Sequence, residues 1–149
     1  DKFKIEDENG YPQYEVVGKI LSLGNKLNIY DMSGKELIYI EGKIFRLLPE
    51  YMIYRGGNLI GKIKKELTLF RPKFNIESSY GYFTIEGDVL HHDFNILKNG
   101  EAIAWINKKW ISFSDTYSID IVDEEDQPFI LSIVIVLDQI FHDGNKNNG

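Results

Sequence analysis

The histidines are the first residues to consider for catalysis or metal binding, because this 149-residue chain has only three and two of them are adjacent. His91 and His92 precede Asp93, and imidazole and carboxylate side chains can both ligate zinc. We place this run on a β-strand, where neighbouring side chains point to opposite faces, so the two imidazoles cannot reach one ion. We therefore expect a surface role for this run and no metal site.

Nucleophilic catalysis has equally little support. The chain has no cysteine, which excludes disulfides, thiolate nucleophiles and cysteine-ligated zinc. It contains neither a Gly-x-Ser-x-Gly motif nor a glycine-rich phosphate-binding motif. Ser132 lies in an apolar run, where we expect its hydroxyl to bond a helix carbonyl one turn back. We place His142 near the C-terminus of the helix, where the helix dipole stabilises a cation. We expect no catalytic residue, no cofactor and no enzymatic activity.

One basic cluster suggests a binding function. It comprises Lys62, Lys64, Lys65, Arg71 and Lys73, with Phe70 beside them. Period-two geometry puts Lys62 and Lys64 on one strand face and Lys65 on the other. Two interpretations stay open: the cluster binds an anionic headgroup, or its lysines protect the exposed edges of a β-protein from aggregation.

The overall charge argues against nucleic acid and against stable membrane binding. Seventeen basic and 23 acidic residues give a net charge of −6, and an anionic leaflet contributes only about 1 kcal/mol per nearby Lys or Arg. The longest apolar run, residues 129–137, is shorter than the roughly 20 residues of a transmembrane helix, and we assign it to the core. With no exposed apolar anchor, we expect no stable binding to phosphatidylserine vesicles at about 0.15 M salt.

A repeat organises the elements that must position these residues. A bulky apolar residue, any residue and then isoleucine recur at intervals of 20 to 24 residues, ending at Ile5, Ile29, Ile53, Ile76, Ile96 and Ile119. Glycine-containing turns follow several of these isoleucines, and such turns favour β-hairpins. The repeat therefore predicts six strands, each with its apolar pair facing the core, and five partner strands between them.

Closing this meander into a barrel would remove its unpaired edges. The chain begins at Asp1 without methionine, and we expect the partner of the first strand in an upstream segment. The predicted fold is a closed antiparallel barrel of about twelve strands. Residues 1–149 form one domain, in which residues 146–149 are a frayed tail.

The C-terminal apolar run breaks the repeat. Asp126 can cap a helix, Pro128 suits its first turn and Gly144 can end it. Ile and Val favour strand instead, but both termination signals favour a helix over residues 127–141. A helix that is apolar on all faces must be buried on all faces, so we expect Ile133 and Val136 to be inaccessible inside the barrel.

Several segments carry a family resemblance that runs almost end to end. They are residues 3–10 (FKIEDENG), 17–19 (VGK), 22–26 (SLGNK), 31–34 (DMSG), 70–74 (FRPKF), 85–88 (IEGD), 92–93 (HD), 108–110 (KKW), 114–117 (SDTY), 137–139 (LDQ) and 142–144 (HDG). Together with the repeat and the C-terminal helix, they resemble the bacterial YxjI-like branch of the LURP-one-related family. That family is similar in fold to the Tubby C-terminal domain and the phospholipid scramblases.

The resemblance implies a twelve-stranded barrel around a central hydrophobic helix and no agreed biochemical activity. Tubby domains bind phosphoinositides through basic residues, none of which can be matched to positions in this chain. We therefore expect a cytoplasmic, non-enzymatic binding or scaffold module whose partner is a protein or a lipid headgroup. The alternative is a peripheral domain that binds phosphoinositide or phospholipid headgroups.

Overall fold

The computed structural model describes the backbone of residues 2–21, 24–43, 47–108 and 116–147, and the side chains of residues 2–18, 26–43, 47–108 and 116–141. The described chain forms eleven strands and one helix. In order they are β1 (Lys2–Glu6), β2 (Pro12–Leu21), β3 (Gly24–Asp31), β4 (Glu36–Lys43), β5 (Glu50–Arg55), β6 (Asn58–Glu66), β7 (Lys73–Ser78), β8 (Gly81–Asp88), β9 (Asp93–Lys98), β10 (Glu101–Asn107), β11 (Ser118–Ile121) and α1 (Gln127–Asn147).

The strands form one antiparallel meander. Each strand pairs with its neighbours in sequence, from β1 at one end of the sheet to β11 at the other. The odd-numbered strands carry the repeated isoleucines, so the predicted count of eleven strands is confirmed. Hairpin turns place Gly10, Gly34 and Gly100 at φ values of 84°, 89° and 86°, a backbone region that glycine occupies without steric cost.

The repeat faces the core, as predicted. The isoleucines of the four inner odd-numbered strands are fully buried, and those of β1 and β11 are partly buried against the same core. The bulky residue two places earlier is buried in the inner strands and partly buried at Tyr117. The exception is Phe3, which is 48% exposed because β1 is an edge strand of the sheet that the described residues form.

The predicted closure of the sheet into a barrel stays a prediction. In the described residues, β1 pairs only with β2, and β11 pairs only with β10. The structure therefore establishes an eleven-stranded antiparallel sheet with a C-terminal helix. It does not join the two ends of that sheet.

The predicted helix is confirmed. The Phe129 amide donates to Asp126 Oδ1 at 3.0 Å, so Asp126 is the N-cap, and Pro128 lies in the first turn. Residues 129–137 are all buried, and Ile133 and Val136 have no exposed surface. Burial outweighs the strand propensity of Ile and Val here, because propensity differences are small beside the burial of whole side chains.

The helix does not end at Gly144 as predicted; its backbone continues to Asn147. Glycine inside a helix is only about 1 kcal/mol less favourable than alanine, so it does not end a helix by itself. The frayed tail predicted for residues 146–149 therefore overlaps the last turn, and residues 148–149 lie outside the described chain. The capping role predicted for His142 stays a prediction, because its side chain is outside the described set.

The sheet curves around the helix, because strands from well-separated parts of the sheet contact it. The Phe129 ring packs against Phe83 of β8, with ring centroids 5.7 Å apart. The Tyr14 hydroxyl of β2 donates to Gln127 Oε1 at 2.8 Å. Within the helix, the Ser132 hydroxyl donates to the Phe129 carbonyl at 2.5 Å, which confirms the bond expected for this buried serine.

Antiparallel pairing sorts the connections into two groups at opposite ends of the sheet. One end, the turn rim, holds the glycine turns and the start of the helix. The other end, the loop rim, holds the described connecting residues 47–49, 67–72, 89–92, 108 and 116–117. Several residues of the family segments lie outside the described set: Ser22, Leu23, Lys109, Trp110, Ser114 and Asp115.

Candidate functional site

The predicted basic cluster begins on the outer face of β6. Lys62 and Lys64 are both exposed there, as period-two geometry requires. In the strand register, Lys62 lies opposite Glu77 of β7, and Lys64 lies opposite Glu50 of β5. Together with Asn75, these four residues line a shallow cavity of about 220 Å³. Because two lysines face two glutamates, the formal charges cancel and the surface is not distinctly cationic.

The other three cations lie elsewhere. The Lys65 ammonium is 6.0 Å from the centre of the Phe141 ring of the helix. Lys73 Nζ is 3.6 Å from a Glu66 carboxylate oxygen, and Arg71 is exposed in the connection between β6 and β7. The five basic residues therefore do not converge on one patch. Headgroup binding by this set stays a prediction.

The connection between β6 and β7 corrects one premise of the sequence analysis. This β6–β7 loop, residues 67–72, exposes Leu67, Leu69 and Phe70 by 80%, 93% and 94%. These residues follow Glu66, the last residue of β6 to pair with β7, so none of the described strands covers them. The expectation that the surface lacks an apolar anchor is wrong.

The two adjacent histidines are not on a strand. β8 ends at Asp88 and β9 begins at Asp93, so His91 and His92 lie in the turn between them. His91 Nδ1 is 2.6 Å from Asp88 Oδ2 on the exposed surface. His92 has a φ of 52°, an uncommon value for a residue with a side chain. The strand placement was wrong because the β8–β9 hairpin turn spans these residues.

His92 instead joins a polar trio with Asp138 of the helix and Tyr117. His92 Nε2 is 2.8 Å from Asp138 Oδ1, and the Tyr117 hydroxyl donates to Asp138 Oδ2. The imidazole and phenol rings stack, with centroids 4.2 Å apart and planes 13° from parallel. Since a carboxylate only accepts hydrogen bonds, Nε2 carries the hydrogen of the His92 pair.

The environment of Tyr117 keeps its hydroxyl protonated. Burial, the negative charge of Asp138 and the hydrogen bond to that carboxylate all raise the pKa of Tyr117 well above its ordinary value of 10.0. A phenol in this state donates one strong hydrogen bond and is a poor base and a poor nucleophile. The trio therefore ties the middle of the helix to Tyr117 and to the β8–β9 turn, and it leaves His92 Nδ1 outside these hydrogen bonds.

The trio lines a cavity of about 400 Å³. Phe3 of β1 lies on one side of it and Thr116 and Tyr117, just before β11, on the other. The remaining described lining residues are Leu27, Val89, Leu90, His92, Lys108, Ile135, Asp138, Gln139 and Phe141. The cavity thus opens on the loop rim where the two ends of the sheet approach each other. Its wall is mostly apolar, with a small group of polar atoms.

A second polar cluster, on the turn rim, anchors the start of the helix. Arg55 donates to both Asp126 carboxylate oxygens, at 2.6 and 2.8 Å, and the Tyr80 hydroxyl donates to Asp126 at 3.0 Å. Lys98 Nζ pairs with Glu125 at 3.2 Å. Both Asp126 oxygens accept hydrogen bonds within this cluster, so we assign the cluster a structural role in holding the start of the helix.

Sequence patterns do not reveal most of the cavity residues. The expectation for His92 was a surface role without a site, and the repeat assigned Tyr117 to the core. Asp138 follows the apolar helix run and interrupts it with a charge. A charge at this point of a buried helix requires a partner, and that was the signal available in the sequence.

Neither a metal centre nor a membrane-spanning helix is found in the part of the chain that the structure describes. No three His, Asp or Glu side chains in it come together in an arrangement able to hold an ion. No helix among the same residues combines the length and apolarity that crossing a bilayer requires.

Comparison with known proteins identifies relatives of the whole chain. It is 35% identical over 142 residues to the uncharacterised protein YxjI of Bacillus subtilis, covering 95% of this chain and 86% of that protein. It is 23% identical over 159 residues to protein LURP-one-related 15 of Arabidopsis thaliana, covering 93% and 72% of the two chains.

The fold also has a counterpart among solved structures. An X-ray structure of an Arabidopsis thaliana protein superposes with a TM-score of 0.69 at 20% identity, covering 93% of this chain and 84% of that chain. A profile described as LURP-one-related matches residues 1–138. On the strength of this match and of the 35% identity to YxjI, the chain belongs to the LURP-one-related family.

Proposed function

We propose that this protein is a cytoplasmic, non-enzymatic binding module that takes a small amphipathic molecule with an acidic head into the cavity on the loop rim. The observation that carries this proposal is the cavity itself: about 400 Å³, mostly apolar, with one compact polar group. Small-molecule sites have volumes of about 300–1,000 Å³ and combine an apolar wall with a few polar atoms that orient the ligand.

The polar residues suggest the charge of the head group. Lys108 is exposed at the cavity and forms no ion pair with any described residue. His92 Nδ1 is likewise not used by the bond to Asp138. The Lys108 ammonium suits a carboxylate or similar anion, and His92 Nδ1, the acceptor nitrogen of the ring, can receive a hydrogen bond from a donor on the ligand. The apolar tail of the ligand would lie along Leu90 and Ile135.

A binding role fits the trio better than a catalytic one. The hydroxyl of Tyr117 is held protonated, and the described residues of the cavity wall include neither serine nor cysteine. His92 Nε2 donates to Asp138 as in a catalytic dyad, but the hydroxyl bound to that carboxylate is a phenol. Thr116 carries the one aliphatic hydroxyl of the described wall residues, and the hydrogen bond that His92 makes is to Asp138 and not to Thr116. This arrangement supports binding over nucleophilic catalysis.

We also propose that the sheet closes into a barrel beside this cavity through one additional strand between β1 and β11. The proximity of the two sheet ends supports this, because Phe3 and Tyr117 line the same cavity. Closure would complete the cavity wall and remove two unpaired edges.

Calorimetric titration with decanoate tests the binding proposal. We expect decanoate to bind and decyltrimethylammonium, which has a cationic head, to bind at least about tenfold more weakly. Leu90→Glu places a negative charge at the mouth and should abolish decanoate binding. Leu59→Glu, at a similarly exposed leucine on the opposite rim, is the matched control. Absence of decanoate binding, or equal losses in both variants, would refute the proposal.

A further inference from the structure

The β6–β7 loop presents its apolar side chains outward in an ordered turn. The Thr68 hydroxyl donates to the Arg71 carbonyl at 2.5 Å, which ties the backbone across the tip of the loop. Leu67, Leu69 and Phe70 are nearly fully exposed on this turn. Monomeric soluble proteins seldom expose several large apolar side chains together unless they form an interaction site.

A neighbouring connection extends this apolar surface. The Lys65 amide donates to the Pro49 carbonyl at 3.1 Å, so the connection between β4 and β5 lies against the base of the β6–β7 loop. Leu47 in that connection is 94% exposed. Apolar side chains of two adjacent connections therefore lie exposed on the same rim of the molecule.

The charge around the loop differs from that of the protein as a whole. Residues 65–73 contain Lys65, Arg71 and Lys73 against Glu66, a local charge of 3 − 1 = +2 in a chain of net charge −6. Arg71 and Lys73 are exposed directly beyond the apolar tip. Apolar side chains flanked by cations are typical of segments that enter the interface of an anionic bilayer.

We propose that the β6–β7 loop docks this protein on anionic phospholipid membranes, with Leu69 and Phe70 inserted at the acyl boundary and Arg71 and Lys73 against the lipid phosphates. A second copy of the chain is a poorer partner. Three such side chains expose of the order of 500 Å², whereas a stable protein interface buries about 800 Å² on each partner. A bilayer deforms around a protruding wedge, whereas a rigid surface would need a matching pocket.

Co-sedimentation with vesicles tests the proposal. The wild type should bind vesicles made of equal parts phosphatidylcholine and phosphatidylserine at about 0.15 M salt. Phe70→Asp should lower the partition coefficient at least about tenfold. Tyr11→Asp makes the same type of change at an exposed aromatic residue on the turn rim and should leave binding within about twofold of wild type once the added charge is allowed for. No binding by the wild type, or equal losses in both variants, would overturn the proposal.

The contribution of charge has an equally matched control. Two double variants change the net charge by the same amount: one combines Arg71→Glu with Lys73→Glu, and the other combines Lys62→Glu with Lys64→Glu. We expect a severalfold larger loss from the first pair, because only those residues flank the loop. A larger loss from the second pair, or binding that requires a phosphoinositide in the vesicle, would instead place headgroup recognition on the outer face of β6.

Two further measurements locate the contact. Tryptophan emission of Phe70→Trp should shift to the blue on mixed vesicles, while that of Tyr11→Trp should not. Sedimentation velocity without lipid should show a monomer. A dimer that Phe70→Asp dissociates would overturn the proposal in favour of a second copy of the chain. Decanoate binding is measured without vesicles, so failure of membrane docking and failure of the cavity proposal are separate results.

Discussion

The carboxylate of Asp138 joins two side chains that are distant in sequence, and its position explains the properties of Tyr117. It accepts from the Tyr117 hydroxyl and from His92 Nε2. Removing either donor would leave part of a partly buried charge without compensation, which costs about 1–3 kcal/mol. This hydrogen bond also makes the stability of the protein depend on the protonation of Tyr117.

We predict that stability falls as the pH rises above about 10, with a contribution from Tyr117 of about 1.4 kcal/mol per pH unit. Its pKa is raised in the folded state, so above pH 10 the unfolded chain binds fewer protons and is favoured. Tyr117→Phe should be less stable at neutral pH, and its deficit should shrink in alkali. Burial also raises the pKa of Tyr14, Tyr39 and Tyr80, so part of the slope should remain.

Urea unfolding at several pH values on both sides of 10 measures this effect. Tyr11→Phe, at an exposed tyrosine, is the control and should follow the wild-type curve. A Tyr117→Phe curve parallel to that of the wild type would show that the phenol ionises equally in both states.

Asp126 makes a different contribution, at the start of the helix. Burial raises the pKa of this carboxyl, but hydrogen bonds from Arg55, the Phe129 amide and Tyr80 outweigh it and hold the pKa below 3.8. The stability that Asp126 contributes is therefore present above about pH 4 and is lost as the pH falls below that value.

We predict that Asp126→Ala lowers the free energy of unfolding at neutral pH by about 2 kcal/mol, because a helix cap and an arginine pairing are lost together. Denaturant unfolding measures the loss. Asp123→Ala, an exposed position just before the helix, should change stability by less than about 0.5 kcal/mol. The difference between the two variants should narrow in acid, and a constant difference down to low pH would contradict this account.

Packing between the helix and the sheet depends on the absence of a side chain at one strand position. A Cβ atom added at Gly61 of β6 would lie 2.9 Å from Phe129 Cε2 and 3.4 Å from the Glu77 carbonyl oxygen. That first distance is shorter than a carbon–carbon contact tolerates. Gly61 therefore allows the Phe129 ring to approach the backbone of β6 closely, and this close packing fixes the depth of the helix.

We predict that Gly61→Ala destabilises the protein by about 1–3 kcal/mol through overpacking. Phe129→Leu removes the ring atoms that clash and has its own cost from lost burial. In the double variant the two effects should therefore be less than additive, with a coupling of at least about 0.5 kcal/mol. Chemical denaturation of the four proteins in this cycle gives the coupling. Strict additivity would show that the cost of Gly61→Ala comes from the backbone conformation at this position and not from contact with Phe129.

The two ends of the sheet decide the architecture of the whole protein. We predict that, in the chain of 149 residues, the outward-facing backbone amides of β1 and β11 exchange with solvent much faster than those of β4 to β9. Amides in inner strands donate to neighbouring strands, whereas edge amides face water. Hydrogen exchange measured by NMR distinguishes the alternatives. Uniform protection from β1 to β11 would show that these strands already close the barrel by pairing with each other.

Polar groups with a structural role and polar groups with a proposed binding role lie at opposite ends of the molecule. The turn rim holds glycine hairpins and the engaged cap cluster around Asp126. The loop rim holds the cavity with His92 and Asp138 and the exposed β6–β7 loop. Both proposed binding surfaces therefore lie at the end where connections are longer, which is where function usually resides on a rigid scaffold.

The strands and the helix could be predicted because their signals are local. The isoleucine spacing, the glycine turns and the cap at Asp126 each act over a few residues, and a period of two decides which side chains of a strand share a face. The same locality explains the errors. The position of the turn at His92 depends on the register in which β8 and β9 pair. The end of α1 beyond Gly144 depends on how the last helical turn is stabilised. Composition and spacing determine neither.

The amino-acid sequence by itself determined the eleven strands, the buried helix and the family, because repeats, caps and motifs are properties of the order of residues. Only the tertiary structure decided which polar groups meet. His92 and Asp138 are 46 residues apart in the chain, and they come together because the meander brings the β8–β9 turn to the middle of the helix. The exposure of Phe70 was decided in the same way, by the place where β6 stops pairing with β7. Both features depend on contacts between segments distant in the chain, and no local pattern encodes them.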